Sequence, residues 1–179
     1  MYLAYAVALR LGIKFPLNAL LIQIKNQFKE MNEFVELLTN SKYRKKVIDF
    51  TVFNDSKTMK DSLTELKELR PDIKAILMGT RRSDGAYFTN LEPFAYTDGD
   101  WPKYMRINPI LDWTFSEVWY FIRMLELPYC SLYDKGYTSI DNTLNTVPNK
   151  ELASVDGTDY SAAWMLKNQA SERYSRKKL

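Results

Sequence analysis

The first 79 residues of the chain alternate regularly between segments with a helical pattern and segments with a strand pattern. Helical spacing of apolar residues is seen in 1–15, 30–41 and 58–71, and short apolar or β-branched runs are seen in 18–26, 45–53 and 73–79. This alternation is typical of parallel strands joined by right-handed helical crossovers. We therefore predict an α/β fold with a parallel sheet, and we expect its first helix to be buried.

The pattern changes after residue 79. Residues 80–112 show no clear period and contain several glycines and prolines, which predicts a long loop of the kind that is usually functional. Thr114, with Glu117 three residues later, has the spacing of a capping box and predicts a helix over 114–127. Residues 129–150 are predicted to be loop, and 161–179 to be a helix or a basic tail.

The length and composition are those of a single packed domain. The chain has 179 residues, of which 46% are hydrophobic, so a core is expected and disorder is not. We divide this domain into an α/β sheet part (1–79), a part with ligand-binding loops and a helix (80–150), and a C-terminal tail (151–179).

The residue types that are absent restrict the chemistry. The chain has no histidine and one cysteine, Cys130, so catalytic triads that need histidine and a disulfide framework are excluded. A net charge of +3 does not indicate a nucleic-acid-binding protein. The apolar N-terminus is interrupted by Arg10 and is too short to cross a bilayer. We expect a protein of the reducing cytoplasm, without nucleic-acid or membrane partners.

The stretch "MGTRRSDG" (78–85) places charged residues directly after a predicted buried strand. In open α/β sheets, ligands bind beyond the carboxyl ends of the strands. The planar guanidinium of Arg81 could hold a phosphate there, and Asp84 could orient an arginine, hold a metal or accept N–H groups. A plain polar loop is the alternative that the residues alone leave open.

Four longer motifs carry a family resemblance: "GTRRSD", "TDGDWPKYMRINPILDWTFSEVW", "LPYCSLYDKGYTSI" and "NTVPN". Together they resemble the FMN adenylyltransferases, the FAD synthetases of eukaryotes, in the phosphate-loop superfamily that includes phosphoadenosine-phosphosulfate reductase. The resemblance implies the parallel-sheet fold of the adenine nucleotide alpha hydrolases. It also implies transfer of AMP from ATP to FMN with Mg²⁺, giving FAD and pyrophosphate.

The resemblance assigns roles to individual residues of this chain. Catalytic roles fall on Arg81, Asp84 and Arg106; flavin-binding roles on Asp98, Trp101, Arg173 and Arg176; and nucleotide or phosphate contacts on Gly79 and Arg82. Asp98 would meet the N–H edge of the flavin ring, while Arg106 would hold a phosphate or Asp84. No metal-ligand set is predicted from the sequence.

The chain also departs from the family pattern. The family's first strand and its Gly-Gly-Lys-Asp loop, which holds ATP phosphates, have no counterpart in residues 1–20, so little FAD formation is expected from this chain alone. Asp141 stands where the family usually has glycine, and Gly85 where it usually has proline. A divergent, non-catalytic flavin-binding relative therefore stays an open alternative, with a phosphosulfate reductase as a third.

Overall fold

The structure is a computed structural model that describes residues 1–14, 16–40, 48–53 and 58–177. Its first elements are α1 (Tyr2–Arg10), β1 (Leu17–Ile22), α2 (Lys29–Asn40), β2 (Ile48–Phe53), α3 (Met59–Leu69) and β3 (Ala75–Leu77). The predicted alternation is therefore confirmed in order and type. Phe15, residue 41 and residues 45–47 of the predicted elements lie outside the described residues.

The strands β1 and β2 are parallel, as predicted for this fold. Their register runs from Leu17 opposite Ile48 to Ile22 opposite Phe53, with α2 between them in the chain. The α3 helix that follows begins at the N-cap Thr58, whose side chain accepts the N–H of Asp61. This first sheet has two strands within the described chain.

The prediction of a long loop over 80–112 is wrong in two places. This region contains β4 (Phe94–Tyr96) and β5 (Met105–Ile107). β3 pairs in parallel with β5, and β4 pairs with β5 in antiparallel orientation, which forms a second sheet in the order β3-β5-β4. Each of these two strands is only three residues long and, unlike β3, does not lie within a longer apolar run, which is why the sequence did not indicate them.

The prediction that the first helix is buried is also wrong. In α1 only Ala8 is buried, whereas Val7 and Leu9 are more than half exposed, at 51% and 54%. Apolar side chains are distributed around this helix rather than along one face, so packing on one side leaves the others exposed. An apolar composition alone therefore did not determine burial here.

The capping box predicted for the later helix is confirmed. In α4 (Phe115–Met124), Thr114 Oγ1 accepts the Glu117 N–H, and the Glu117 carboxylate accepts the Thr114 N–H. Trp119 from α4 packs at the centre of the larger apolar cluster, in edge contact with aromatic rings of the segments that follow. A second cluster contains Phe53 and Tyr104 and lies between β2, α3 and the second sheet.

The C-terminal segment is neither a long helix nor a free tail, which corrects the prediction for 161–179. It forms short 3₁₀ helices, of which Gln169–Ser175 is the longest. Ser171 and Ser175 in that helix are fully buried. Burial of a polar segment requires internal hydrogen bonds, and those bonds bring this segment to the candidate site. Within the described residues, no helix is both long enough and apolar enough to span a membrane.

Candidate active site

Arg81 is the best-enclosed charged residue beyond the end of β3. Four residues after Leu77, it is only 7% exposed. Its backbone N–H donates to Asp84 Oδ2 at 2.8 Å, and its Nη2 donates to Asp84 Oδ1 at 2.9 Å. Of the roles that the sequence left open for Asp84, the structure shows contact with an arginine, and that arginine is Arg81, held at two points.

The second partner of Arg81 is Glu172, which the sequence analysis did not single out. Arg81 Nη2 also donates to Glu172 Oε1, and the Glu172 side chain is 12% exposed. The two residues are 91 positions apart in the chain. Glu172 lies within "SERYSR", where no local pattern distinguishes a buried carboxylate from a solvated one. Only the fold of the C-terminal segment brings it to Arg81.

The electrostatic environment differs for the two members of this pair. Burial raises the pKa of the Glu172 carboxyl, and the hydrogen bond and positive charge of Arg81 offset this effect only partly, with Asp84 adding repulsion. Burial opposes the charge of Arg81, but Glu172 and Asp84 together prevail and raise its pKa. The single guanidinium of Arg81 thus forms ion pairs with both Asp84 and Glu172.

The raised pKa of Glu172 leads to a prediction about pH and stability. An acid whose pKa is raised in the folded state binds more protons in the native state than in the unfolded state. Its contribution to the free energy of unfolding is therefore complete below the unfolded-state pKa of 4.5, and it is lost as the pH rises through the folded-state pKa. We expect the free energy of unfolding of the unsubstituted chain, minus that of Glu172→Gln, to be constant well below pH 4.5 and to fall as the pH rises above it. Denaturant titrations at several pH values measure this difference, and a rise with pH would contradict the assignment.

A second arginine–carboxylate pair involves Arg106 and Asp98. Arg106 Nη2 donates to Asp98 Oδ2 at 3.0 Å and to the Tyr96 carbonyl at 3.0 Å. The Tyr87 hydroxyl donates to the same Asp98 oxygen at 2.7 Å. The Tyr87 hydrogen bond and the nearby Arg106 charge hold the pKa of Asp98 below its usual value. The carboxylate partner of Arg106 is therefore Asp98, and not Asp84.

The two pairs lie toward opposite ends of the second sheet. Arg81 follows the carboxyl end of β3, whereas the antiparallel register places Tyr96, and thus Asp98 beyond it, beside Met105 at the start of β5. The three-residue strands between these ends are roughly 10 Å long. Tyr87, three residues after Asp84 in the chain, donates to Asp98, so the segment that carries Asp84 also reaches the second pair. The two pairs make no direct contact with each other among the described residues.

Two of the predicted phosphate residues stand in different surroundings. Arg82 donates to Asp112 Oδ1 at 2.6 Å and to the carbonyls of Thr89 and Leu91, so its guanidinium is committed to the loop. Gly79 has nothing within 4 Å of the place where a Cβ would stand, so the fold leaves open space at the end of β3. Its contact with a ligand stays a prediction.

The predicted flavin residues of the C-terminal segment behave differently from each other. Arg176 is held through all three nitrogens, by Ser139 Oγ, by the Ile140 carbonyl and by Asp141 Oδ2 at 2.9 Å. Asp141, which replaces the family glycine, is thus an ion-pair partner. Arg173 is exposed and forms no ion pair within the described part of the chain.

The remaining predicted flavin residue, Trp101, lies between β4 and β5 in the chain. Trp101 is 39% exposed, so its ring is accessible on the surface near Asp98.

A buried network of hydrogen bonds fixes the C-terminal segment in place. Asn149 Nδ2 donates to Thr138 Oγ1 at 2.9 Å and to the Ser171 carbonyl at 2.8 Å. Thr138 Oγ1 in turn donates to the Glu172 carbonyl and lies 3.0 Å from Ser175 Oγ. Because these groups are almost fully buried, their bonds are expensive to leave unmade. The network therefore defines where the Glu172 carboxylate stands.

The concave surfaces of the described chain differ in charge. A cavity of about 330 Å³ lies between the start of α4 and the C-terminal segment, and it is lined in part by Arg82, Ser83, Thr114 and Glu172. A larger concavity, of about 590 Å³, is lined by acidic residues of α3 such as Asp61 and Glu65, which would repel a phosphate. No group of three or more metal-ligating side chains occurs among the described residues.

Cys130 lies in the core. It is 1% exposed, and burial raises the pKa of its thiol. The thiolate is the reactive form of cysteine, so a buried thiol of this kind is a poor nucleophile. Cys130 is therefore a packing residue of the core rather than a reactive thiol.

Comparison with known proteins identifies the family. The model of the phosphoadenosine phosphosulfate reductase domain matches residues 4–148. The chain belongs to this family. Members of related sequence include a probable FAD synthase of Caenorhabditis elegans, which is 38% identical over 170 residues, covering 92% of this chain and 31% of that protein. A probable FAD synthase of Schizosaccharomyces pombe is 39% identical over 155 residues, covering 87% and 56%.

A solved structure has the same fold as this chain. Candida glabrata FMN adenylyltransferase, in complex with FAD and inorganic pyrophosphate, aligns with a TM-score of 0.78 and 24% identity, covering 89% of this chain and 66% of that one. The predicted fold class is thereby confirmed. The chain spans from about a third to just over half of the length of the two curated relatives it matches.

Proposed function

We propose that the domain takes part in FAD synthesis, transferring the AMP moiety of ATP to FMN and releasing pyrophosphate. The observation that carries the proposal is that Arg81 and Arg106 each keep a buried guanidinium nitrogen, Nη1 and Nε, without a partner among the described residues. A buried donor that is left unpaired is costly, and a phosphate or ring oxygen would satisfy it. The names of the related sequences support the choice of FMN and ATP.

The spacing of the two arginine–carboxylate pairs suits an elongated ligand. FMN has a ring at one end and a phosphate at the other, and the pairs are separated by roughly the length of a three-residue strand. Asp98 Oδ2 is occupied by Tyr87 and Arg106, which leaves Oδ1 to accept a ring N–H. We assign the ring edge to Asp98 with Trp101 beside it, and the phosphate to Arg81.

The reaction needs position and charge rather than a covalent nucleophile. An FMN phosphate oxygen attacks the α-phosphorus of ATP; the new P–O bond forms as the bond to the bridging oxygen of pyrophosphate breaks. Arg81 would hold the reacting phosphates through Nη1. The guanidinium groups of Arg82 and Arg176 are engaged by carboxylates, carbonyls or a hydroxyl, whereas no ion pair of Arg173 occurs among the described residues, so we assign Arg173 as a second cation for the phosphates.

Mg²⁺ belongs to the proposal because the family resemblance implies it. Magnesium in such sites is held by one or two carboxylates together with substrate phosphates. Both oxygens of Asp84 already accept hydrogen bonds from Arg81, and the described residues contain no acidic cluster that forms a cage. We therefore assign no side chain to Mg²⁺ and derive no step through it. A cytoplasmic location and the absence of nucleic-acid partners are likewise part of the proposal.

The proposed function is tested by binding and turnover with the purified chain. FMN, FAD and riboflavin are titrated by flavin fluorescence, and FAD formation from FMN, ATP and Mg²⁺ is followed by chromatography. The proposal expects FMN to bind more tightly than riboflavin, and FAD to form slowly, because residues 1–20 lack the family's loop for the ATP phosphates. FMN binding without FAD formation would favour the non-catalytic flavin-binding alternative, and no preference for FMN would overturn the phosphate assignment.

Asp98→Ala is expected to weaken FMN binding by about 10-fold, because an acceptor for a ring N–H is lost and Arg106 loses its partner. Asp100→Ala is the matched control: this carboxylate is close in sequence, but it is 84% exposed and paired with Lys60. The control should bind FMN as the unsubstituted chain does. Equal affinities for both variants, measured by fluorescence titration, would remove Asp98 from the site.

A further inference from the structure

The C-terminal segment reaches the site through buried polar contacts rather than through apolar packing alone. Ser175 accepts the Thr138 N–H through its hydroxyl and the Val147 N–H through its carbonyl. The Lys177 N–H donates to the Asn145 carbonyl at 2.8 Å, which extends the pairing along the chain. These bonds hold the 3₁₀ helix on the C-terminal side of Glu172, and the Ser171 carbonyl, which accepts from Asn149 Nδ2, holds it on the N-terminal side.

Glu172 is therefore presented to Arg81 from a rigid support. The Glu172 carbonyl accepts from Thr138 Oγ1, while its carboxylate accepts from Arg81 Nη2. The same Nη2 donates to Asp84 Oδ1, so two carboxylates from distant segments define the plane of one guanidinium. With Nη2 doubly held, rotation of the group is opposed, and Nη1 stays buried without a partner among the described residues.

We propose that Glu172 is a positioning residue: it fixes the Arg81 guanidinium so that Nη1 is directed at a phosphate oxygen of the substrate. This inference rests on the proposed function. Asp84 alone could hold the backbone and one edge of Arg81, but it lies only three residues away on the same turn. The contact with Glu172 ties that turn to the C-terminal segment. The Arg81 guanidinium is thus correctly oriented only when the C-terminal segment is packed in its place.

A second role for the same carboxylate is physically distinct. Glu172 could act mainly as a countercharge, in which case its negative charge would repel a phosphate and its removal would tighten binding. To position Arg81, the side chain at 172 must be long enough to contact the guanidinium and must carry an acceptor oxygen. To act as a countercharge, it needs only its negative charge. Glu172→Gln keeps the reach and one acceptor but loses the charge, whereas Glu172→Asp keeps the charge but withdraws it by one methylene.

The affinities of these variants for FMN and riboflavin separate the two roles. Positioning predicts that the unsubstituted chain binds FMN most tightly, followed by Glu172→Gln, with Glu172→Asp weaker by about 10-fold. Because riboflavin lacks the phosphate, its dissociation constants for the unsubstituted chain and for both variants should agree within about 2-fold. Tighter FMN binding by Glu172→Gln, with Glu172→Asp unchanged, would overturn the proposal in favour of a countercharge.

Two controls complete the experiment. Glu30→Gln makes the same substitution at a carboxylate paired with Lys135 outside the site, and it should leave FMN affinity unchanged. In an Arg81→Met background, Glu172→Asp should have no further effect on FMN binding, and an additive effect would show that Glu172 does not act through Arg81.

A readout without substrate distinguishes failure of this inference from failure of the proposed function. Side-chain ¹⁵N–¹H spectra should show slow rotation of the Arg81 guanidinium in the unsubstituted chain and faster rotation in Glu172→Asp. If FMN does not bind but rotation responds as expected, the proposed function fails while the coupling of Glu172 to Arg81 holds. Unchanged rotation overturns the positioning role.

Discussion

Arg81→Met is expected to lower the free energy of unfolding by about 3–5 kcal/mol and to abolish FAD formation. The substitution removes the cation between Asp84 and Glu172, whose side chains are 24% and 12% exposed. Two partly desolvated carboxylates are then left facing each other, and an uncompensated charge in such surroundings is strongly destabilising. Urea or guanidinium denaturation measures the stability, and the chromatographic assay measures the activity.

The neighbouring arginine provides the matched control for this prediction. Arg82→Met removes the same charge and a similar volume, but the Arg82 side chain is 37% exposed and its partner Asp112 is 71% exposed. Ion pairs of this exposure contribute about 1 kcal/mol or less, and loss of the bonds from Arg82 to the Thr89 and Leu91 carbonyls adds about 1 kcal/mol, so a smaller loss than at Arg81 is expected. Combining Arg81→Met with Glu172→Gln should recover part of the lost stability. A loss at Arg81 no larger than that at Arg82 would show that the buried cluster is not a stabilising element.

Gly136→Ala is the second substitution with a large expected effect, about 3 kcal/mol or more of lost stability. Gly136 ends the 3₁₀ helix Ser131–Lys135 with a φ of +80°, which is unfavourable for residues that carry a Cβ. An added Cβ would lie 2.5 Å from Tyr160 Cβ. Tyr160 is held by a bridge to Ala153, so it cannot move aside without breaking that contact.

Gly157→Ala separates the backbone effect at Gly136 from the steric one. Gly157 has a similar φ of +72°, but nothing lies within 4 Å of the position of its Cβ. Only the conformational cost of about 1–2 kcal/mol is expected there. Thermal or denaturant unfolding of both variants gives the difference. Equal losses at the two positions would mean that the Tyr160 contact relaxes at little cost.

The sequence by itself determined the features of this protein that depend on local patterns. The alternation in residues 1–79 predicted the parallel pairing of β1 with β2, because crossover helices leave few other arrangements. The spacing of Thr114 and Glu117 predicted the start of α4. The residue types near the end of β3 also indicated that Asp84 could orient an arginine, although they did not identify Arg81, three residues away, as that arginine.

Only the tertiary structure decided the contacts that join distant parts of the chain. Glu172 reaches Arg81 across 91 positions, and Arg106 meets Asp98 through the antiparallel register of β4 and β5. The strands β4 and β5 lie in a segment without a period and were not predicted, and the burial of Glu172 follows from hydrogen bonds made by Thr138 and its neighbours. Residue types indicate which groups can form an ion pair, but their partners are chosen by the packing of the whole chain.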